Sequence, residues 1–387
     1  MTRARTLLLT GLGALTLGLA ACGEEQSERD AARDPLGPAS TSGADAGDGG
    51  STPEGEDPTK AEASDQLKRG EVKTVASGIE VPWDIAFLPD GEPLVSERDR
   101  GQIVSLPTDG SKPTVIDVKG VSAAGEGGLL GIAVSPDYEQ DRTVFAYLTS
   151  QSDNRIVAID TRTKAQKPIL TGLAKNTFHN GGALEFGPDG KLYAGVGDAG
   201  ASGSAQDRSS RNGKILRIDP DGGVPAGNPI DGSPVWSLGH RNVQGLAWDG
   251  DDRLWASEFG QNDVDEVNLI AAGKNYGWPD VEGDGDTQGG KYTSPVATWS
   301  PTATSSPSGA AIVGDELYVS ALAGRTLWQI ALDGTKAGEP KSLFPEKYGR
   351  IRAVATAPDG TIWFSTSNTD GRGDPADDDD KIFKLGV

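Results

Sequence analysis

The sequence predicts an all-β fold, a six-bladed β-propeller preceded by a signal peptide and a disordered tether. Three observations support this prediction. A strand–turn–strand pattern recurs six times after residue 70, no long helical periodicity interrupts it, and the residues before it have the composition of an exported leader. The predicted boundaries are 1–21 for the signal peptide, 22–70 for the tether and 71–387 for the propeller.

The N-terminus has the layout of a secretory signal peptide. Arg3 and Arg5 precede an apolar stretch over residues 7–21, which is too short for a comfortable membrane span and ends in small residues. Cys22, the single cysteine of the chain, follows where bacterial lipoprotein signals place the residue that is acylated. We therefore expect an exported lipoprotein, anchored through Cys22 at the outer face of the cell membrane.

The segment 22–70 is poor in apolar residues and rich in Gly, Ser, Pro, Ala, Asp and Glu. Such a composition buries too little apolar surface to offset the entropy lost on ordering, so a flexible tether is expected. The net charge of the whole chain is −21. Because no basic stripe is present to neutralise phosphates, a nucleic acid is excluded as a partner.

Each repeat after the tether joins two short apolar runs through a turn, which is Pro-Asp-Gly in three of the six copies. Proline presets φ at the second turn position, and glycine permits the positive φ that follows. Six copies over this length give about fifty residues per unit, which suits one four-stranded blade each. The long spacers before Trp236 and between Trp278 and Ser308 are expected to form loops on the functional face. The first runs of the six copies begin at Ile85, Ile132, Leu184, Leu246, Ala311 and Val354.

Polar residues that could do chemistry stand directly before the inner strands. His179 precedes the third repeat, where a histidine can act as a base near neutral pH or can simply hydrogen-bond a loop. His240 and Arg241 precede the fourth repeat, and in an extended segment only one of the two faces the channel. We assign Arg241 to the channel, where it can bind a carboxylate or polarise a carbonyl, and leave His240 as structural.

Further polar segments suggest ligands. Arg350 and Arg352 precede the sixth repeat and point the same way in an extended chain, which suits an anionic ligand, with a solvated pair as the alternative. The oxygen-rich segments 258–268 and 274–279 suit Ca²⁺, although their spacing is not that of an EF-hand. The acidic run 377–380 is read as a solvated loop or a weak ion site.

Several ordered motifs resemble one family, the soluble pyrroloquinoline quinone (PQQ)-dependent glucose/sorbosone (aldose) dehydrogenases, over roughly residues 72–387. These enzymes are six-bladed propellers that use PQQ and Ca²⁺. The motifs that carry the resemblance are Gly125-Glu126-Gly127-Gly128-Leu129-Leu130-Gly131, His179-Asn180-Gly181-Gly182, Gly239-His240-Arg241-Asn242-Val243-Gln244-Gly245, Asp265-Glu266-Val267-Asn268 and Asn275-Tyr276-Gly277-Trp278-Pro279.

The resemblance implies an oxidation of the C1 hydroxyl of aldoses to lactones. His179 would be the general base while hydride passes to the quinone, Arg241 would polarise the quinone carbonyl, and Glu126 would lie in the substrate pocket. The implied PQQ contacts are Asn242, Arg350, Arg352, Trp299, Thr302 and Arg325. The implied calcium ligands are Gly260 and Gln261 beside the quinone, and Asp265, Glu266 and Tyr276 at a separate structural site.

Three positions depart from the family pattern. Ala323 stands where a lysine is expected, with Arg325 close by to reach the same anion; Glu126 replaces a glutamine; and Phe178 replaces an aspartate. Two alternatives therefore remain beside the enzyme. One is a non-catalytic, lipid-anchored propeller that serves as a binding or scaffold module and has lost tight PQQ binding. The other is a lactonase-type calcium hydrolase, which would need carboxylate and asparagine side chains at the inner strands. The sequence leaves the preferred sugar and the electron acceptor unknown.

Overall fold

The computed structural model describes residues 67–108 and 110–387. Six antiparallel sheets follow one another along the chain, and their innermost strands contact each other in a closed ring. The predicted six-bladed β-propeller is thereby confirmed. The predicted signal peptide, Cys22 and the tether up to residue 66 lie outside the described residues.

The blades are numbered here in chain order, and the strands of each run from the channel outwards. Blade 1 contains β2 (Pro82–Phe87), β3 (Pro93–Glu97), β4 (Gln102–Ser105) and β5 (Val115–Asp117). Blade 2 contains β6 (Leu129–Val134), β7 (Thr143–Thr149), β8 (Asn154–Asp160) and β9 (Gln166–Leu173). Blade 3 contains β10 (Leu184–Phe186), β11 (Leu192–Val196), β12 (Lys214–Ile218) and β13 (Val235–Leu238).

The second half repeats the arrangement. Blade 4 contains β14 (Val243–Trp248), β15 (Leu254–Glu258), β16 (Asp265–Ile270) and β17 (Ala297–Trp299). Blade 5 contains β18 (Pro307–Val313), β19 (Glu316–Ala321) and β20 (Thr326–Asp333), with β21 (Lys336–Ala337) and β22 (Lys341–Leu343) both pairing with β20. Blade 6 contains β23 (Ile351–Thr356), β24 (Ile362–Thr366), β25 (Lys381–Leu385) and β1 (Val72–Ser77).

Blade 6 closes the ring with both ends of the described chain. Its outermost strand β1 pairs antiparallel with β25, so Val72 lies opposite Leu385. Residues 67–70, which were predicted to belong to the tether, lie beside the end of β25. The amide of Gly70 donates to the carbonyl of Gly386 at 2.7 Å. The closure joins the first and last strands by hydrogen bonds along a whole blade edge.

Each predicted repeat corresponds to the two innermost strands of one blade. The second repeat lacks the turn glycine, and the one-turn helix Tyr138–Asp141 makes the connection there. The apolar side chains of neighbouring blades pack into interblade clusters, such as the one that joins Leu130 of blade 2 to Leu184 of blade 3. The only other helices in the described part of the chain are the 3₁₀ turns Ser202–Ala205 and Thr302–Thr304.

Strand direction divides the loops between two faces. The innermost strands begin at the face that carries His179 and Arg241, called the functional face here, and they end at the turns of the six repeats on the opposite face. The spacer between Trp278 and Ser308 lies on the functional face for most of its length, because β17 leads back to it. The spacer before Trp236 is the exception. It joins β12 to β13 at the opposite face, so its predicted position was wrong.

The last loop of blade 6 also corrects an expectation. Within the acidic run 377–380, Asp380 is fully buried and accepts hydrogen bonds from the hydroxyls of Thr366 and Thr369 and from the amide of Asn368. This carboxylate is therefore an anchor of the loop between β24 and β25 and does not face solvent.

No helix among residues 67–108 and 110–387 is both long enough and apolar enough to cross a membrane.

Candidate active site

The site lies at the functional-face end of the central channel. The channel encloses about 550 Å³ between the six innermost strands and extends towards the opposite face. Trp83, Gln244 and Gly309 lie at its functional-face end, and His179, Arg241 and Arg352 are not part of its lining. The loops that enter the innermost strands and the loops that join the second and third strands of each blade surround the opening. The polar side chains singled out before the third, fourth and sixth repeats are carried by these loops.

His179 is held in one orientation by its neighbours. Its Nδ1 lies 2.8 Å from Oδ1 of Asp198, its amide donates to Glu126 at 3.0 Å, and its carbonyl accepts from Ala199 at 3.0 Å. The backbone has φ 54°, a region that side-chain-bearing residues rarely adopt and that these contacts maintain. Because the Asp198 carboxylate accepts a hydrogen bond from Nδ1–H, the proton of the neutral ring is held on Nδ1 and Nε2 is left as the basic nitrogen.

Asp198 is nearly inaccessible and remains ionised. Burial alone would raise the pKa of Asp198, but hydrogen bonds from His179, from the amide of Gly200 and from Trp278 Nε1 outweigh it and lower the pKa below its ordinary value. The indole of Trp278 also lies under the guanidinium of Arg241, with 5.4 Å from Cζ to the ring centroid. Trp278 thus links the histidine–aspartate pair to the arginine.

The adjacent motif places its two polar residues differently. His240 is fully buried, with Nδ1 2.8 Å from Glu258 and Nε2 2.8 Å from the hydroxyl of Ser237. Arg241 turns to the channel mouth, donates to the carbonyl of Phe259 at 3.3 Å, and has its amide bound by the same Glu258 carboxylate. The opposite orientations expected for these neighbours are therefore present.

Several buried donors at the mouth have no partner among the described residues. They are Nε of Arg241, Nδ2 of Asn242 and Nε of Arg352. Burial lowers the pKa of Arg241 despite nearby carboxylates, and burial together with Arg98 lowers that of Arg352 to about 9. A buried donor without an acceptor costs folding free energy, most of all when it belongs to a charged group, and a bound anion would supply the missing acceptors. The mouth is therefore suited to an acidic ligand.

Arg350 and Arg352 differ although both are buried. Arg350 directs Nε and one terminal nitrogen at the carboxylate of Asp370, at 3.1 and 2.9 Å. Arg352 reaches Gln244 and Ser308 at 3.2 and 3.4 Å and keeps its Nε unpaired. The site predicted to bind an anion therefore contains one arginine without a carboxylate partner, Arg352, and one that is already paired with a carboxylate, Arg350.

The loop predicted to bind Ca²⁺ through Gly260 and Gln261 is folded around a glutamate. The amides of residues 261–264 all converge on Oε1 of Glu282, the closest at 2.6 Å. With its amides turned inward, the loop keeps the carbonyls of Gly260 and Gln261 without a hydrogen bond from the described residues. Free carbonyl oxygens are suitable calcium ligands, and the prediction stands as a prediction.

The residues of the second predicted calcium site lie close together but have protein partners. Asp265 accepts from the amides of Gly260 and Ser306, and Glu266 accepts from Gly283 and from the side chain of Asn268. The Tyr276 hydroxyl donates to the Leu269 carbonyl. In the described part of the chain, no group of three or more His, Cys, Asp or Glu side chains is gathered for a metal.

Burial raises the pKa of both acidic side chains of that site, and a neighbouring carboxylate adds to the effect at Glu266. The pKa of Glu266 rises to about 8, because it is buried and because Glu258 lies opposite it on the neighbouring strand. Burial raises the pKa of Asp265 to about 7. A divalent cation would relieve this crowding of carboxylates.

Three further predicted PQQ contacts have other surroundings. Trp299 is 5% exposed and packs in the core of blades 4 and 5 against Trp328, and its buried Nε1 has no partner among the described residues. Its contact with PQQ stays a prediction. Arg325 lines a separate pocket of about 320 Å³ and pairs with Glu346 at 3.5 Å. Thr302 is half-buried in a 3₁₀ turn that is tied to Asp265 through Ser306. Packing between blades, which the sequence pattern does not reveal, accounts for the position of Trp299.

Sequence reasoning missed the residues that act as partners. Glu258 is the last residue of the second strand of blade 4, and Asp198 and Asp370 follow the second strands of blades 3 and 6. Each holds a histidine or arginine of a neighbouring loop. A signal was present, because a polar residue at or after the end of a buried second strand lies at the functional face. Recognising it requires the strand direction, which only the repeat comparison supplies.

Comparisons with known proteins agree with this arrangement. The family model described as Glucose / Sorbosone dehydrogenase matches residues 79–373. The structure is similar to the PQQ-bound form of aldose sugar dehydrogenase from Streptomyces coelicolor, with a TM-score of 0.78 and 48% identity over 83% of this chain and 99% of that one.

Two curated relatives are more distant in sequence. Quinoprotein glucose dehydrogenase B of Acinetobacter calcoaceticus is 34% identical over 57% of this chain and 54% of its own length. The aldose sugar dehydrogenase of Escherichia coli is 26% identical over 78% of this chain and 91% of its own length.

Proposed function

The chain belongs to the glucose/sorbosone dehydrogenase family, and from that premise we propose that it oxidises the C1 hydroxyl of aldose sugars to lactones with PQQ as cofactor. The observation that carries the proposal is the His179–Asp198 pair, in which a buried carboxylate fixes one ring nitrogen and frees the other at the channel mouth. Unpaired cationic donors for an anionic cofactor lie at the same opening.

Three side chains have distinct roles in the proposed oxidation. Nε2 of His179 accepts the proton of the C1 hydroxyl, which requires an approach to about 3 Å. Asp198 stabilises the imidazolium that forms, and its own charge is maintained by Trp278 and Gly200. When bound, PQQ supplies the two-electron oxidation by accepting the hydride of C1. Arg241 places a permanent cation beside the reacting groups.

The donor set fits PQQ, which carries three carboxylates. Arg241, Asn242 and Arg352 have buried donors to spare, and Arg350 could share its guanidinium between Asp370 and the cofactor. The carbonyls of Gly260 and Gln261 would hold the Ca²⁺ that accompanies the cofactor. Because Arg325 pairs with Glu346 and Asp374, we do not assign it a role in place of the lysine that Ala323 replaces.

The location of the enzyme is part of the proposal. The signal sequence and Cys22 support export and lipid anchoring, so oxidation would take place outside the cell membrane. Metabolic labelling with a palmitate analogue would test this. The expected result is label on the full-length chain and none on Cys22→Ser.

Reconstitution tests the activity. The purified propeller is titrated with PQQ and Ca²⁺, cofactor binding is followed by absorbance, and dye reduction is measured with a panel of aldoses. Stoichiometric binding and turnover on at least one aldose are expected. Binding without turnover on any aldose would refute the sugar dehydrogenase. Absence of cofactor binding would instead support the non-catalytic scaffold.

A further inference from the structure

We propose that Lys214 positions Trp278 against Asp198 and is thereby a positioning residue for the oxidation. Lys214 stands on the third strand of blade 3, which two strands separate from the channel. Its ammonium group holds the turn Ser202–Ala205, and this turn holds the main chain of Trp278. The inference rests on the proposed function for the role of Asp198, but its contacts can be measured without cofactor or sugar.

Lys214 is a charged side chain in a fully buried position. It is the first residue of β12 and has no exposed surface. Its Nζ donates three hydrogen bonds, all of them to main-chain carbonyls. The acceptors are Ser204 at 2.6 Å, Ala205 at 3.0 Å and Asn212 at 2.9 Å. All three donors of the ammonium group are therefore used within the loop between β11 and β12.

The charged form of Lys214 is maintained at a cost. Burial lowers the pKa of Lys214 to about 8, and the charge of Asp207 opposes this shift, so the group is mostly protonated at pH 7. An apolar side chain of similar length would fill the same space without the cost of desolvating a charge. We therefore infer that the charge serves the arrangement of its three acceptors.

Two series of contacts connect the turn held by Lys214 to Trp278. Gln206, the residue after the turn, donates from Nε2 to the Trp278 carbonyl at 2.7 Å. The Ala205 carbonyl accepts the amide of Gly239 at 3.0 Å as well as the ammonium group. The Gly239 carbonyl in turn accepts the amide of Trp278 at 3.0 Å. Both the carbonyl and the amide of Trp278 are thus tied to the turn.

The side chain of Trp278 depends on this placement for its contact with the His179–Asp198 pair. Its Nε1 donates to Asp198 at 2.9 Å, and Asp198 lies 2.8 Å from Nδ1 of His179. A hydrogen bond weakens steeply as its angle departs from linear. A looser turn is therefore expected to weaken the support of the Asp198 carboxylate while the histidine itself is untouched.

Arg217 on the same strand supplies a matched control. It is also a buried cation, at 9% exposure, and it makes three hydrogen bonds at the opposite face. Arg217→Met and Lys214→Met each remove a buried charge and three hydrogen bonds, so similar falls in melting temperature are expected. Only Lys214→Met is expected to disturb Trp278.

The first measurement uses the unreconstituted protein. Solvent exchange of the Trp278 indole N–H is followed by NMR, and its resonance is assigned by its absence from Trp278→Phe. Lys214→Met is expected to speed this exchange by about tenfold, whereas Arg217→Met should leave it within about twofold of the parent. Parent-like exchange in Lys214→Met, or equal acceleration in both variants, would overturn the proposal.

Gln206→Leu tests the next contact at a partly exposed position. It deletes the donor to the Trp278 carbonyl and leaves Lys214 in place. The indole exchange is expected to rise by about threefold, less than in Lys214→Met, because the contact through Gly239 remains. If Lys214→Met does not fold, exchange that is unchanged by Gln206→Leu overturns the proposal by itself.

A double variant tests the same contacts in the reconstituted enzyme. Lys214→Met alone is expected to lower kcat by about threefold and to leave KM for the aldose within about twofold. Because both residues act through one hydrogen bond to Asp198, the double variant Lys214→Met, Trp278→Phe should match Trp278→Phe alone. Losses that multiply would overturn the positioning role. Accelerated indole exchange in a protein that oxidises no aldose would refute the dehydrogenase and leave Lys214 as the support of Trp278.

Discussion

The two histidines of this chain make the same contact and differ in the nitrogen that is left over. Both direct Nδ1 at a buried carboxylate 2.8 Å away, His179 at Asp198 and His240 at Glu258. In His240 the second nitrogen is taken by Ser237, and the side chain has no exposure. In His179 the second nitrogen has no partner among the described residues, and 15% of the side chain is exposed at the mouth.

The difference shows that a histidine–carboxylate pair is not by itself a catalytic signature. The pair fixes the tautomer in both places. Only a free Nε2 that a substrate can reach converts it into a base, and the hydroxyl of Ser237 removes that possibility from His240. His240 instead ties the loop before blade 4 to Glu258, whose other oxygen binds the amide of Arg241. One pair does chemistry in our proposal, and the other supports the arginine beside it.

Exchanging His179 for glutamine should have the largest effect. Glutamine keeps a hydrogen bond to Asp198 but cannot take a proton, so kcat is expected to fall by about 10³-fold, within the range of general-base catalysis. Cofactor binding, measured by absorbance titration, should stay within about threefold, since the unpaired donors belong to other residues. Retained turnover would remove His179 from the mechanism.

Asp198→Asn tests the carboxylate that completes the same pair. The amide can still hydrogen-bond Nδ1 but can present its NH₂ group there, which favours the tautomer with Nε2 protonated. Stabilisation of the imidazolium is lost as well, so kcat is expected to fall by about 10²-fold or more. The measurement is steady-state dye reduction at saturating PQQ and Ca²⁺. A drop in kcat/KM through KM alone would show that Asp198 shapes the pocket without supporting the base.

Trp278→Phe addresses the outer support of the pair. Phenylalanine keeps an aromatic ring under Arg241 and deletes the N–H that reaches Asp198 at 2.9 Å. Removing one of three donors weakens the depression of the Asp198 pKa, and kcat is expected to fall by about fivefold. Trp278→Leu, which also removes the ring, is the comparison. If both variants lose the same amount, the indole N–H has no separate role.

His240→Gln is the structural counterpart of the first substitution. Glutamine cannot reach Ser237 and Glu258 together, so buried polar groups lose partners at a cost of about 1–3 kcal/mol. The melting temperature of the unreconstituted protein is expected to fall by about 3–8 °C, whereas His179→Gln should leave it within about 1 °C. A reversed order of the two melting temperatures would contradict the division between the histidines.

Much of the propeller could be predicted, because its units repeat. The strand–turn–strand pattern specifies the inner strands of all six blades, and the resemblance adds His179, Arg241 and Asn242 at the mouth. The one loop whose position was wrong is the spacer before Trp236, which lies on the opposite face because strand direction places it there. The packing of Trp299 between blades was likewise not visible in the sequence. Neither is encoded in a local sequence pattern.

The partners of the charged residues could not be identified from the sequence for the same reason. Asp198 and His179 are 19 residues apart, and Glu126 and Arg372 are 246 apart, so each pair forms only when blades and loops have closed. A single chain shows the residue types but not which of them meet. Burial of acids was also hidden, since Asp380 lies in a run of four aspartates and is fully buried among hydrogen bonds of the loop.

The smallest expected effect concerns carboxylates that, unlike Asp198 and Glu258, have no basic partner. Glu185 and Asp84 line the channel, and burial followed by the charge of Asp84 raises the pKa of Glu185 to about 8. Burial likewise raises the pKa of Asp84 to about 7. The Glu185 side chain faces the interior of the channel, where solvent can reach it. Water in the channel therefore screens part of the electrostatic cost of its charged form.

The sign of the pH dependence follows from linkage. A glutamate with a raised pKa in the folded state is protonated there and ionised in the unfolded chain between about pH 4.3 and 8, so stability falls as pH rises through this window. Glu185→Gln removes the titration. Its melting temperature should match the parent at pH 5 and exceed it by about 2 °C at pH 8.5. Glu339→Gln, at an exposed position in blade 5, is the control and should show no such difference. Equal shifts at both pH values would mean that folding leaves the pKa of Glu185 unchanged, and a lower melting temperature of Glu185→Gln at pH 8.5 would mean that the charged form is stabilised, as in Asp198.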